Sequence, residues 1–238
     1  MSSIIAWLGA WILSTSSAPL APPELRSYAV DHDASHLYVV VHRAGLLSFL
    51  GHDHAVVPGE WSAELCLGDP PPAEAHATLV VKTASLVIDS DSARALAGLG
   101  SGPGAEDRED IQERMLGSTN LDASEFPEIR LELHGTEAAD ADDAERVAVE
   151  GTITIRDISR DFELPVDVRR TEDGPMVLSG VLRIQLRDFG IEPESRVGLV
   201  KVSNDVDLHF EISASRTERP CPGATDGARD QDRSTPPA

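Results

Sequence analysis

Residues 35–54 read SHLYVVVHRAGLLSFLGHDH. The apolar run from Leu37 to Val41 ends at His42, passes a corner containing Gly45 and reaches a second polar cluster, Gly51-His52-Asp53-His54. A β-branched run bounded by turn residues reads as a strand, and the glycine corner as the way into the next one. In strand geometry His52 and His54 project to the same side, and His42 lies close enough in sequence to sit on the neighbouring strand of one hairpin. This tract therefore offers both an apolar wall and polar fittings for a ligand.

The rest of the chain supplies further walls. Tyr28 to Asp31 reads as a short first strand after a proline-rich leader. Ala55 to Leu67 is a half-buried strand in which Trp61, Ala63, Leu65 and Leu67 alternate with Ser62, Glu64 and Cys66. The consecutive prolines of residues 68–74, GDPPPAE, force a reversal, because they donate no ladder hydrogen bonds. His76 to Ile88 is another strand, with Leu79 and Val81 on one face. Later come Ile129, Leu131 and Leu133, then Val147, Val149, Ile153 and Ile155. A turn at Arg156 to Arg160 leads to Phe162, Leu164, Val166 and Val168. Met176 to Arg187 turns Leu182, Ile184 and Leu186 inward, and the last strand, Leu199 to Ala214, buries Val200, Val202, Val206, Leu208, Phe210 and Ile212. Tight polar turns between alternating strands mean antiparallel up-and-down connection, and about eight to nine strands suffice to close a barrel.

Between Asp89 and Pro127 the pattern changes. Ser90 to Gly104 is small, polar and Gly-rich, and reads as a flexible loop; it lacks both the GK[ST] ending and the G-x-G-x-x-G context of a phosphate loop. AEDREDIQERML, residues 105–116, places Ile111, Met115 and Leu116 at helical spacing, with acids in the first turn, where the helix dipole favours them, and Gly117 at its end. It reads as a short helix lying across the barrel or capping one end.

Composition excludes several roles. With 41 Asp and Glu against 20 Lys and Arg, a net charge of -21 and a pI near 4.6, the surface repels phosphates, which argues against nucleic acid and anionic lipid headgroups. Aromatics are only 4%, so aliphatic side chains and alanine must fill the interior. Residues 1–21 carry an apolar segment, Ile4 to Leu13, in the layout of a secretory leader and too short to span a bilayer. The mature chain is thus expected to be periplasmic or secreted, without a transmembrane segment. The leader has no basic residue before that segment, which keeps a misassigned start codon and a cytoplasmic location open. Cys66 and Cys221 are read as two unpaired thiols, since Cys221 falls in a polar tail, residues 215–238, whose composition reads as disordered. Asp188-Phe189-Gly190 resembles the kinase metal-binding tripeptide, but no nucleotide loop or catalytic loop accompanies it, so it is read as the end of a strand and its turn. No Gly-x-Ser-x-Gly elbow is present.

Taken in order, YAVDHDASHLYVVVHRAG, GHDHAV, ERMLGSTNLDASEFPEIRLEL, VEGTITIRDISRDFELPV, LRDFGI and VGLVKVSNDVDLHFEI resemble the YceI-like lipid-binding or polyisoprenoid-binding family over residues 28–214. The resemblance implies an all-β fold, an elongated antiparallel lipocalin-like β-barrel of about eight strands with one short helix. It also implies a periplasmic binding or carrier protein, with a long apolar tunnel for a polyisoprenoid chain or related amphiphile and no catalytic residues. The expected lining is Leu37, Val39, Val41, Leu79, Val81, Leu131, Leu133, Val149, Ile153, Phe162, Leu164, Leu182, Ile184, Leu208 and Phe210, with a polar mouth of His42, His52 and His54. Each methylene removed from water contributes about 0.8 kcal/mol, so aliphatic walls alone can retain a hydrocarbon chain.

Two other readings stand beside this one. In one, the apolar faces pack on one another into a solid core with no ligand. In the other, His42, His52 and His54 hold zinc or copper with an open coordination position, which makes the protein a metal-binding protein or metalloenzyme; the opposing reading is that His42 satisfies a carboxylate or backbone partner and Gly51-His52-Asp53-His54 is a polar turn. No organic cofactor is expected, the partner is an apolar small molecule, and a homodimer is an open alternative.

Overall fold

The computed structural model describes residues 25–44, 52–68, 75–138, 146–170, 174–192, 195–196 and 200–221. The expected leader, the corner at Gly45, Leu199 and residues 222–238 of the expected tail lie outside these. The strands are β1 (Leu25–Ala44), β2 (His54–Pro58), β3 (Trp61–Gly68), β4 (Ala75–Lys82), β5 (Leu86–Ile88), β6 (Glu128–Ala138), β7 (Arg146–Ile155), β8 (Ile158–Arg169), β9 (Met176–Gln185), β10 (Ser195–Arg196) and β11 (Val200–Arg216). Helices α1 (Asp91–Leu96) and α2 (Ala105–Leu116) lie between β5 and β6.

The sheet runs β10-β11-β9-β8-β7-β6-β4-β3-β1-β2-β5, and β11 also pairs with β1, which closes β1, β3, β4, β6, β7, β8, β9 and β11 into an eight-stranded antiparallel barrel. This is the all-β, lipocalin-like architecture expected, with β2, β5 and β10 as additions. Closure removes the free edges that would otherwise template association.

Several boundaries differ from the sequence reading, each for a local reason. The two opening strands are one, β1. The Asp31 carboxylate accepts from the backbone N–H groups of Asp33 and Ala34, and the Ser35 hydroxyl donates to the Asp31 carbonyl. The chain thus bulges between Asp31 and His36 without leaving β11. The strand expected at residues 55–67 breaks at Pro58-Gly59, and the one at 76–88 breaks at the 3-10 turn Thr83–Ser85. These breaks face each other, since the Gly59 N–H donates to the Ser85 carbonyl at 2.9 Å. Above them β2 and β5 pair together and β2 continues on β1.

The turn after β7 is two residues, not five. Arg156 and Asp157 both have positive φ, 52° and 56°, the backbone of the tight hairpin that matches strand twist. At the DFG tract, Leu186–Phe189 form a 3-10 turn closed by Gly190 at φ 68°, a left-handed position suited to glycine. β8 and β9 pair over only three described positions, Asp167–Arg169 with Val177–Ser179. Pro165, which has no N–H, stands where a longer ladder would need one.

The chain end is also ordered further than composition suggests. β11 runs to Arg216, the Thr217 N–H donates to the Ser27 carbonyl at 2.9 Å, and Cys221 is joined to Cys66 in a disulfide, with Cα atoms 5.9 Å apart across 155 residues of sequence. The expectation of two unpaired thiols, and of a tail disordered from residue 215, is therefore corrected. Antiparallel pairing of β1 with both β11 and β3 brings the end of the chain to Cys66, a proximity invisible in spacing alone.

Candidate functional site

Alternation places one side chain in two inside the barrel, and the interior is not filled. A cavity of about 1150 Å³ runs through it, lined almost wholly by aliphatic and aromatic side chains, so the solid-core alternative does not hold. Every expected lining residue borders the cavity except Ile153. Ile153 pairs with Leu131 and shares its inward face, but it belongs to the packed cluster that also contains Phe189 and Ile191. Gly180 makes room for part of this wall: a Cβ there would come within 2.8 Å of the Phe210 ring and 3.1 Å of Leu164.

Over β2 and β5 lies α2. Gln112 donates from Nε2 to the Leu86 carbonyl at 2.6 Å and accepts the Ile88 N–H at 2.8 Å. That holds Ile111 and Met115 against Val56, Leu86 and Ile88, and both helix residues border the cavity. The expectation of a helix capping one end of the barrel matches this contact.

The three expected mouth histidines also border the cavity, but they do not converge. His42 Nε2 lies 2.9 Å from Asp207 Oδ2, on a carboxylate that also accepts Arg183 Nε at 2.6 Å. His54 Nδ1 lies 2.5 Å from Asp89 Oδ2, and His52 is exposed. Among the described residues no three His, Cys, Asp or Glu side chains are grouped so as to hold a metal ion. A metal centre of His42, His52 and His54 is corrected accordingly, since each ring of the first and third is turned to its own aspartate.

Asp89 is the least expected member of the site. It is fully buried and adopts φ 51°, a left-handed backbone uncommon outside glycine. Its carboxylate accepts His54, the Ala55 N–H at 3.1 Å and Arg94 Nη1 at 2.6 Å. Burial pushes its pKa up, and the hydrogen bonds from His54, Ala55 and Arg94 more than offset that, holding it below the ordinary carboxylate value. Arg94 is itself buried and donates to the carbonyls of Asp53, Gly100 and Ser101. The tract read as a flexible loop thus contains α1, capped by the Ser90 hydroxyl accepting the Ala93 N–H, and it supplies the cation of a buried network. A serine followed by Asp91 is a helix-start signal, but six residues are too few to show a helical period.

Missed entirely were Arg43, Asp107, Arg114, Asn120 and His209, which border the cavity as well. Arg43 lies near a strand end, Asp107 and Arg114 on a polar helix face and Asn120 in a turn, where period-two reading makes no assignment, while His209 lies inside β11, where alternation assigns it to the face opposite Leu208 and Phe210.

Comparison with known proteins follows the geometry. The YceI-like domain matches residues 28–214. The crystal structure of BcnA from Burkholderia cenocepacia is similar over 79% of this chain and 100% of its own, at 18% identity and a TM-score of 0.57. A polyisoprenoid binding domain from Saccharophagus degradans, implicated in plant cell wall breakdown, is similar over 81% of this chain and 99% of its own, at 17% identity and a TM-score of 0.51. The Campylobacter jejuni YceI protein is similar over 69% and 85%, at 20% identity and a TM-score of 0.50. No curated protein matches the chain. At these identities the solved structures speak to the fold, and the domain match speaks to descent: the chain belongs to the YceI-like domain family.

Proposed function

We propose that this protein binds a polyisoprenoid or other long apolar amphiphile inside the barrel and carries it without chemical change. The observation that carries the reading is the apolar cavity of about 1150 Å³, just above the roughly 300–1,000 Å³ usual for small-molecule sites. Burial of methylenes supplies affinity at about 0.8 kcal/mol each, and the few polar groups on the cavity border supply orientation. The likeness to a polyisoprenoid binding domain supports the same ligand class.

The reading includes export to the periplasm or outside the cell. The Cys66–Cys221 disulfide supports it, because such bonds persist in oxidising compartments and are rare in the cytosol. Among the described residues no helix is long and apolar enough to cross a membrane.

Native mass spectrometry of the purified protein, followed by denaturation and identification of what is released, tests the carrier role. A co-purified long-chain species is expected. A protein that arrives empty, and that takes up no long-chain isoprenoid when offered one, sinks the reading.

A further inference from the structure

The barrel wall is not laced along its whole height. On one side β1 follows β11 for most of its length. On the other it pairs with β3 at Leu25–Tyr28 and with β2 at Val39–Val41. Between those two ladders, among the described residues, no strand pairs with this edge of β1 from Ala29 to Tyr38. The facing stretch of β3, Trp61–Glu64, pairs with β4 and not with β1. A window thus stands in the wall, and the His32 ring leans across it on Trp61, with ring centroids 4.1 Å apart. His32 is exposed, and exposed side chains change rotamer far faster than ladders open.

The cavity reaches this window. Val30 and Leu37 border it from one side, Ala63 and Leu65 from the other. So does Glu64, which alternation turns outward between Ala63 and Leu65 and which is exposed, so cavity and solvent meet at this edge. The end under α2 is less open, since Ile111 and Met115 pack there on Val56, Leu86 and Ile88. The β8–β9 seam is as short, but a side chain plugs it: a Cβ on Gly180 would come within 3.1 Å of the buried Leu164.

The chain end fastens the window's lower margin. Tyr28 pairs with Arg216 on one side and Leu65 on the other. The Thr217 N–H and hydroxyl both donate to the Ser27 carbonyl, at 2.9 and 3.3 Å. Ser27 is the ladder partner of Cys66, to which Cys221 is joined. The segment after β11 therefore crosses β1 and is bonded to β3 at the level of their short ladder. Hydrogen bonds alone would leave that ladder free to fray from its open end; the covalent link holds the two margins together.

We propose that the ligand's apolar chain enters and leaves sideways, through the window between β1 and β3, and that the Cys66–Cys221 disulfide limits how far the window opens. The proposal rests on the carrier reading above and adds the route by which the cavity is loaded.

Release of bound cis-parinaric acid, a fluorescent long-chain fatty acid, into excess phosphatidylcholine vesicles tests it by stopped flow. His32→Cys with Ser62→Cys, both at exposed positions beside the ring contact, allows a short bis-maleimide linker to be closed across the window. The linker is expected to slow release about tenfold against the same variant unlinked, about 1.4 kcal/mol of barrier. Cys66→Ser with Cys221→Ser is expected to speed uptake and release together and leave the affinity unchanged, because a route contributes to both rates equally. The linked variant keeps the native disulfide, so the test stands if the serine variant fails to fold. Equal release with and without the linker overturns the lateral route and leaves the carrier reading intact. A folded serine variant that releases at the wild-type rate overturns the role of the disulfide. Failure of the unmodified protein to bind cis-parinaric acid or any long-chain isoprenoid overturns both the proposal and the carrier reading.

Discussion

Asp89 and Asp207 each hold one histidine and one arginine, yet the two triads sit in opposite surroundings. Asp207 stands on the barrel wall, where its own side chain is 10% exposed but Arg183 is 68% exposed and His42 40%. Asp89 is 0% exposed, with Arg94 at 8% and His54 at 16%. The same three groups therefore do different work. An arginine that reaches into water keeps its solvation when its partner is lost, so the outer triad is a surface ornament of the ladder between β1, β11 and β9. An arginine sealed inside does not, and the inner triad is a fixed structural element that binds α1, β2 and the segment before α2 to the cavity rim. Burial, not composition, separates them.

The largest test of that contrast removes the cations. Arg94→Ala strands a buried carboxylate and is expected to cost about 3–5 kcal/mol in urea unfolding, whereas Arg183→Ala is expected to cost about 1 kcal/mol or less. Equal losses would erase the distinction. The histidines come next. His54→Ala removes a hydrogen bond to a buried charge and is expected to cost about 1.5–3 kcal/mol, while His42→Ala stays within about 0.5 kcal/mol; a larger loss at His42 would mean that the outer triad is structural after all.

Acid sharpens the comparison at the smallest scale. The Arg183 hydrogen bond, working against partial burial and aided by His42, lowers the Asp207 pKa from 3.8 to about 2. A carboxyl whose pKa is lower when folded stabilises the fold fully above its unfolded value and loses that contribution as pH falls through the folded one. Wild type and Asp207→Asn are thus expected to differ by about 1 kcal/mol at pH 6, with the gap closing between about pH 4 and pH 2. A gap that persists at pH 2 would assign the difference to packing and not to ionisation.

The cavity wall was legible because a strand's period of two is written in each residue's neighbours. Leu79 and Val81, or Leu131 and Leu133, reveal their face without reference to any partner. Ile153 misled for the complementary reason, because its face is local information but whether that face meets empty space or Phe189's packed cluster is not. The inner triad was hidden differently. Asp89 and Arg94 lie on a bend and in a six-residue helix, and each looks like solvated polarity until tertiary structure removes the water, while His54 reads as a mouth residue whose aspartate, 35 positions away, leaves no local sign.

From the amino acids alone came the closed antiparallel barrel, its inward residues and the helix with Ile111 and Met115 on one side, since alternation and helical spacing are enforced by backbone geometry within a few residues. Only the tertiary structure decided that the interior stays open, that Cys66 meets Cys221 across 155 residues, and that the histidines answer to separate aspartates. Those outcomes depend on strand register and closure, which set distances between residues that share no local pattern.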